Sequence, residues 1–317
     1  MLKLWKYLLT ILFIFSLSSQ AEEAKKDKLK IMLEWFANPN HAAIVVAKQK
    51  GFFAENNLDV EIIEPSDPTI APKLLAAGKI DLAVDYETHL HISADQNIPI
   101  IRTATLLATP LDILLVREDS EIKSLSDLKN KKVGISTVGL DEAMMKALLE
   151  KNGLEEKDVE LVNVNFALTA SLISKKVDAV IGAMRNFEIY EMREQGVEGR
   201  AFYLEEYGIP PRDELIIVAK KDTFFENRDK IKRFNSALEK ATTFIINHPD
   251  EAWNSFISYR KDLSDPVQKN AWGATIHRLA HRPAALDKGR YENYAKFMQE
   301  FGLIKSIPAI DEYAVEP

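Results

Sequence analysis

Short apolar runs recur along the chain, each closed by a polar or glycine-containing stop, with helix-spaced segments between them. Residues 28–33 read as a buried strand that delivers Glu34, Trp35 and Phe36 at its carboxyl end. Asn38 then suits a helix N-cap and Pro39 the first helical turn, so a helix is predicted as far as Lys50, stopped by Gly51. Residues 74–84 read as an apolar helix end, the stop Gly78-Lys79 and a short buried strand, and residues 172–182 repeat that design. Residues 57–63 are echoed by residues 153–162, and the opening strand by residues 132–136. The offsets are 102 (Ile31 to Val133), 99 (Asp59 to Asp158) and 97 (Asp81 to Asp178). Three matches in one order at nearly one spacing predict two lobes of the same βαβ plan, against the alternative of chance likeness among α/β units. Strands at 112–116 and 214–219 bracket the second lobe, the layout of a two-strand hinge. Lobe one is then expected to take residues 22–112 and 220–317, and lobe two residues 113–219. The last hundred residues read as helical, with 231–247 amphipathic and ended by His248-Pro249, and they are expected to cover lobe one.

The beginning of the chain has a different pattern. Lys3 and Lys6 precede an apolar run over residues 7–17 and the small-x-small triplet Ser19-Gln20-Ala21, which together read as a secretory signal over residues 1–21. The run is shorter than the roughly 20 apolar residues that a membrane span requires. A soluble, exported, periplasmic product is the expectation. The 317 residues hold no cysteine, which excludes disulfides, thiolate metal sites, a cysteine nucleophile and the lipid-bearing cysteine of an exported lipoprotein. The net charge of −7 and the lack of a basic patch interleaved with aromatics argue against nucleic acid as a partner. The charged runs at 22–28 and 119–132 read as solvated faces.

Ligands of open α/β sheets sit beyond the carboxyl ends of strands, so the side chains found there are the candidates. In lobe one these are Glu34 and Trp35 on the rim, with Tyr86 after the strand at 81–85. In lobe two, Ser136, Thr137 and Gly139 lie between strand and helix and offer hydroxyls and backbone N–H groups, while Glu188 follows the strand at 178–182. Asn38, His41 and Asn186 are secondary candidates. His41 also suits capping or packing at the helix start. His89 with His91, and His277 with His281, lack the further ligands of a metal site, so no metal is expected. Aromatics and carboxylates without concentrated positive charge suit a flat, polar, neutral or weakly cationic ring that donates amino hydrogens.

Glu34-Trp35-Phe36 with Asn38-Pro39-Asn40-His41, then Val46-Ala47-Lys48 and Lys50-Gly51-Phe52-Phe53, resembles the opening of the pyrimidine-precursor branch of the substrate-binding proteins, the ThiY family of thiamine salvage transporters. Glu64-Pro65-Ser66-Asp67-Pro68, residues 162–168, residues 181–188 and Pro210-Pro211 with residues 213–216 extend the likeness over roughly residues 28–220. The resemblance implies a type II periplasmic-binding-protein fold of two similar α/β lobes. It also implies a formylaminomethyl or hydroxymethyl aminopyrimidine ligand, a membrane permease with its ATPase as partners, no cofactor and no catalysis; a monomer is expected. The family's ligand positions fall on Glu34, Trp35, Tyr86, the loop 136–139 and Glu188. Three departures leave the pyrimidine substituent open: Glu34 stands for the usual Asp, Ala37 for the usual Pro, and the loop 137–139 is poorer in glycine. Two alternatives share the superfamily. One is the sulfonate, taurine or nitrate binders, whose anionic ligands the acid pair Glu34 and Glu188 would repel. The pyrimidine synthases, which consume a histidine of their own with pyridoxal phosphate and iron and in whose motif His41 falls, carry a cysteine-rich iron motif that this chain lacks.

Overall fold

A computed structural model describes residues 26–317, so the expected signal over residues 1–21 lies outside the described residues. Among the described residues, ten strands form two five-stranded sheets. They are β1 (Asp27–Met32), β2 (Leu58–Ile63), β3 (Leu82–Asp85), β4 (Ile100–Leu107), β5 (Asp112–Arg117), β6 (Lys131–Ile135), β7 (Val159–Asn163), β8 (Ala179–Met184), β9 (Gly199–Tyr203) and β10 (Leu215–Lys220). Their orders are β2-β1-β3-β10-β4 and β7-β6-β8-β5-β9, one plan used twice. In each sheet the fourth position is an antiparallel strand, β10 or β5, that arrives from the other half of the chain. Both have helices on their two faces, and so read as the unbroken apolar runs Leu215-Ile216-Ile217-Val218-Ala219 and Ile113-Leu114-Leu115-Val116.

The internal repeat has an atomic counterpart. Asp81 Oδ2 accepts the Lys30 N–H at 2.7 Å while its own N–H donates to the Lys30 carbonyl at 3.0 Å. Asp178 does the same to Lys132, at 2.8 Å in both directions. Each aspartate thereby sets the register of the third strand of its sheet against the first.

Two expectations need correction. β10 pairs with β3 and β4 in the first sheet, so the return to lobe one is complete before Leu215 and not at residue 219. A hinge strand takes its lobe from its pairing partners, which its own sequence does not name. The tail also does more than cover lobe one. The helix Phe224–Asn247 packs there through Ile231, Phe234 and Leu238, but the helix Lys288–Glu300 spans both lobes. Its Tyr291 joins the apolar cluster around Leu75 and Ile216, whereas Tyr294, Phe297 and Met298 join that of Leu114, Val133 and Met144.

At the cleft, residues 38–50 form a short 3₁₀ turn, Pro39–His41, followed by the helix Ala42–Gln49. Asn38 Oδ1 accepts the Asn40 N–H at 2.8 Å and His41 Nδ1 accepts the Asn38 N–H at 3.2 Å, a reciprocal cap that favours the tight turn. Gly51 ends the segment at φ +76°, a backbone conformation open to glycine.

Candidate functional site

The carboxyl ends of the strands face each other across a cleft in which the lobes touch. The half-buried Trp35 ring meets Phe166 of the other lobe at 4.7 Å and 74°, and Phe36 meets the same ring at 4.6 Å. Behind this contact lies an inner pocket lined by Glu34, Trp35, Asn38, Tyr86, Ser136, Thr137 and Glu188 among the residues expected from the sequence. Its volume is about 30 Å³. One water requires roughly 10–15 Å³ on that measure, so a substituted ring enters only if a wall moves, and the Trp35–Phe166 contact is where that wall joins the two lobes.

Three expected residues stand elsewhere. His41 is fully buried and does not line the pocket. Its Nδ1 accepts the Asn38 N–H, so the proton is on Nε2, which donates to both oxygens of Glu34 at 3.0 and 2.9 Å. His41 therefore orients Glu34 from behind. Asn186 is also buried away from the pocket; its Nδ2 donates to Asn40 Oδ1 at 2.6 Å and Thr275 Oγ1 at 2.7 Å, joining lobe two to lobe one. Gly139 lines a neighbouring cavity and not the inner pocket.

The loop 136–139 differs from expectation in chemistry as well. The N–H groups of Ser136 and Thr137 both donate to Asp141 Oδ2, at 2.7 and 2.8 Å, and the Ser136 hydroxyl donates to the Asn165 carbonyl at 2.5 Å. The donors that an anion would use at the start of the helix Leu140–Lys151 are thus occupied by a carboxylate of its own first turn.

Sequence reasoning missed Asp112, Asp141, Arg212 and Glu214, all of which line the pocket. Asp112 and Glu214 each open or immediately precede an apolar hinge strand, and that acid-before-strand pattern was the available signal. Arg212 pairs with Asp112 at 2.5 Å and lies over the Tyr294 ring at 5.4 Å. Glu214 Oε2 accepts the N–H groups of Leu111 and Asp112, fixing the entry to β5. The pocket thus presents five carboxyl groups, those of Glu34, Asp112, Asp141, Glu188 and Glu214, against one guanidinium that is already paired.

Burial answers this crowding with protons. The Glu188 carboxyl is pushed up to about 8, first by burial and then by Glu191, against the Met184 N–H that its Oε2 accepts at 2.7 Å. Asp141 is raised to about 7 by burial, opposed by the two amides it accepts. Glu214 is raised to about 7 by burial and then by Asp112, with Arg212 opposing. Burial and the surrounding carboxylates, Glu34 foremost, hold the Tyr86 phenol well above its ordinary value, so it stays a donor. At neutral pH the Glu188 carboxyl is therefore an acid able to donate, while Asp141 and Glu214 stand near the middle of their titrations. Among the described residues there is no group of three or more His, Asp or Glu placed to hold a metal ion.

The family model described as NMT1/THI5 like matches residues 38–252. The chain belongs to this family. A Haemophilus influenzae protein described as a thiamine biosynthesis protein is 47% identical over 305 residues, 96% of each chain. The formylaminopyrimidine-binding protein of Halalkalibacterium halodurans is 29% identical, covering 84% of this chain and 81% of that one. A 4-amino-5-hydroxymethyl-2-methylpyrimidine phosphate synthase of Saccharomyces cerevisiae is 27% identical, covering 76% and 74%. Among solved structures, the periplasmic aliphatic sulphonate binding protein of Escherichia coli superposes with a TM-score of 0.69 at 16% identity, over 92% of both chains. The fold is that of the periplasmic binding proteins, type II in strand order, and the relatives place the chain in thiamine-related company. Among the described residues no helix is long and apolar enough to cross a membrane.

Proposed function

We propose that the protein is the periplasmic solute-binding component of an ABC importer for a thiamine pyrimidine precursor, a formylaminomethyl or hydroxymethyl aminopyrimidine. One observation carries this reading: an interlobe pocket with five carboxyl groups, one paired cation and the rings of Trp35, Tyr86 and Phe187. An aminopyrimidine offers an amino donor and ring-nitrogen acceptors, which match carboxylates and carboxylic acids respectively, and a π face for Trp35. Glu34, aligned by His41, is the acceptor assigned to the amino group; Glu188 is the donor assigned to a ring nitrogen.

The sulfonate and nitrate reading shares only the fold. Its ligand would meet five acidic side chains, a guanidinium already paired with Asp112, and a helix start whose amides Asp141 already occupies. The synthase reading requires a histidine presented to the cleft, whereas His41 lies behind Glu34 with both ring nitrogens engaged. Export through the expected signal and delivery to a membrane permease and its ATPase complete the proposal. Calorimetry of the purified protein against aminopyrimidines, alkanesulfonates, taurine and nitrate tests it. The aminopyrimidines should bind at least about 100-fold more tightly than the anions, or about 2.8 kcal/mol at 1.4 kcal/mol per decade. Preference for an anion would overturn the assignment.

A further inference from the structure

Beside the inner pocket lies a larger cavity that the aminopyrimidine reading leaves unused. Its volume is about 610 Å³ against about 30 Å³ for the inner pocket. The two share Glu34, Tyr86 and Thr137, so the wall that ends one begins the other. The outer chamber runs between the helices Ile70–Ala76 and Glu87–Asp95 of lobe one and the tip Val138-Gly139 of lobe two. Much of its lining is apolar, supplied by Ala71, Pro72, Ala76 and Ile92.

Its inner end is acidic. Glu34 is buried there, and so is Asp85, which accepts the Tyr86 N–H and His89 Nδ1, each at 2.9 Å. The His89–Asp85 pair is neutral even when the imidazole carries a proton. Lys73, the lysine of this chamber, donates to Thr69 Oγ1 at 2.9 Å and is exposed. A positive charge at the threshold therefore meets Glu34 and the Tyr86 ring, and a flat apolar body beyond it meets the helix walls.

We propose that this chamber is a second ligand subsite for a flat cationic ring joined by one carbon to the aminopyrimidine, so that the protein binds the complete two-ring vitamin, thiamine, as well as its pyrimidine half. The inference rests on the aminopyrimidine reading of the inner pocket. It adds a substrate class to it, because a chamber of this size beside the ring position admits a 5-substituent far larger than formylaminomethyl or hydroxymethyl.

The test is calorimetry with three ligands: 4-amino-5-hydroxymethyl-2-methylpyrimidine, thiamine, and an analogue of thiamine with benzene in place of the cationic ring. Wild-type protein should bind thiamine within about tenfold of the single-ring pyrimidine, and the neutral analogue at least about tenfold more weakly than thiamine. Ala76→Trp and Ile92→Trp, on the two lobe-one helices that flank the chamber and outside the inner pocket, fill it from two sides. Each should weaken thiamine by at least about tenfold while changing the single-ring pyrimidine by less than about twofold, which also reports that the variant is folded. If the single-ring pyrimidine binds and thiamine does not, or if thiamine binds both tryptophan variants as it binds wild type, the second subsite is overturned and the pyrimidine assignment stands. A neutral analogue that equals thiamine would overturn the cationic class. If neither the single-ring pyrimidine nor thiamine binds, the assignment and the subsite fall together.

Discussion

Glu188 concentrates the chemistry of the pocket in one group. Its carboxyl is pushed up to about 8 by burial and then by Glu191, so in the proposed complex it is the group able to donate to a ring nitrogen at neutral pH. A neutral aminopyrimidine should then bind at constant affinity up to about pH 8 and progressively more weakly above it, as the donor is lost. Glu188→Gln, which donates at every pH, should bind nearly as well as wild type and abolish that fall; Glu188→Leu should cost about 1–3 kcal/mol, the cost of leaving a buried acceptor unpaired. Titration calorimetry between pH 5 and 9 decides, and a leucine variant that binds like wild type would remove Glu188 from the site. The same carboxyls govern stability. Folded-state values of about 8 for Glu188 and about 7 for Asp141 and Glu214 lie above those of free carboxyls, so their contribution is complete below about pH 4 and is lost as pH rises through 7 and 8. Trp35 has a simpler test. Removing one base–aromatic stack in Trp35→Ala should weaken pyrimidine binding by roughly 1–3 kcal/mol, about 5-fold to 150-fold. A loss below about twofold with the fold intact would make Trp35 a packing residue against Phe166.

Among the elements, two places turn local sequence into site geometry. Gly182 in β8 has φ +82°, and a Cβ there would stand 2.8 Å from Asp141 Oδ1, so the strand and the aspartate can approach only at glycine. Gly182→Ala should both strain the backbone and displace Asp141 from the Ser136 and Thr137 amides, lowering the thermal midpoint and weakening ligand together. The helix Lys288–Glu300 is the second place, because one face of it serves both lobes. Phe297→Ala should destabilise the chain by about 3–5 kcal/mol, as for a buried aromatic, and urea unfolding measures it. A cost near that of a surface substitution would show that this helix does not tie the lobes. Its helical character was legible as part of a helical tail, but its double attachment was not, since an apolar stripe does not say which core it enters.

For the whole molecule, the contact between Trp35 and Phe166, with Asn186 reaching Asn40 and Thr275, describes lobes that meet over a nearly filled pocket. Ligand must enter a more open form and then select this one, so small-angle scattering should show a smaller radius of gyration with saturating aminopyrimidine than without. An unchanged radius would argue for a rigid cleft. Exported protein should begin after Ala21, and an intact mass that retains residues 1–21 would overturn the secretory reading.

Local pattern was sufficient for the two-lobed α/β plan, the repeat marked by Asp81 and Asp178, and the placement of Glu34, Trp35, Tyr86 and Glu188 at strand ends. The strand-end placements follow from short-range rules of strand, cap and stop, and the two-lobed plan from those same local patterns recurring at one spacing along the chain. Only tertiary structure placed Asp112, Arg212 and Glu214 in the pocket, moved His41 behind Glu34, and occupied the loop amides with Asp141. Those outcomes depend on which strand enters which sheet and on where two lobes meet, contacts between residues far apart in sequence, such as Asp112 and Glu214, 102 positions apart, and Asn40 and Asn186, 146 apart. The proton-holding carboxyls have the same origin, because an acid in a sequence carries its ordinary value until burial among other acids changes it.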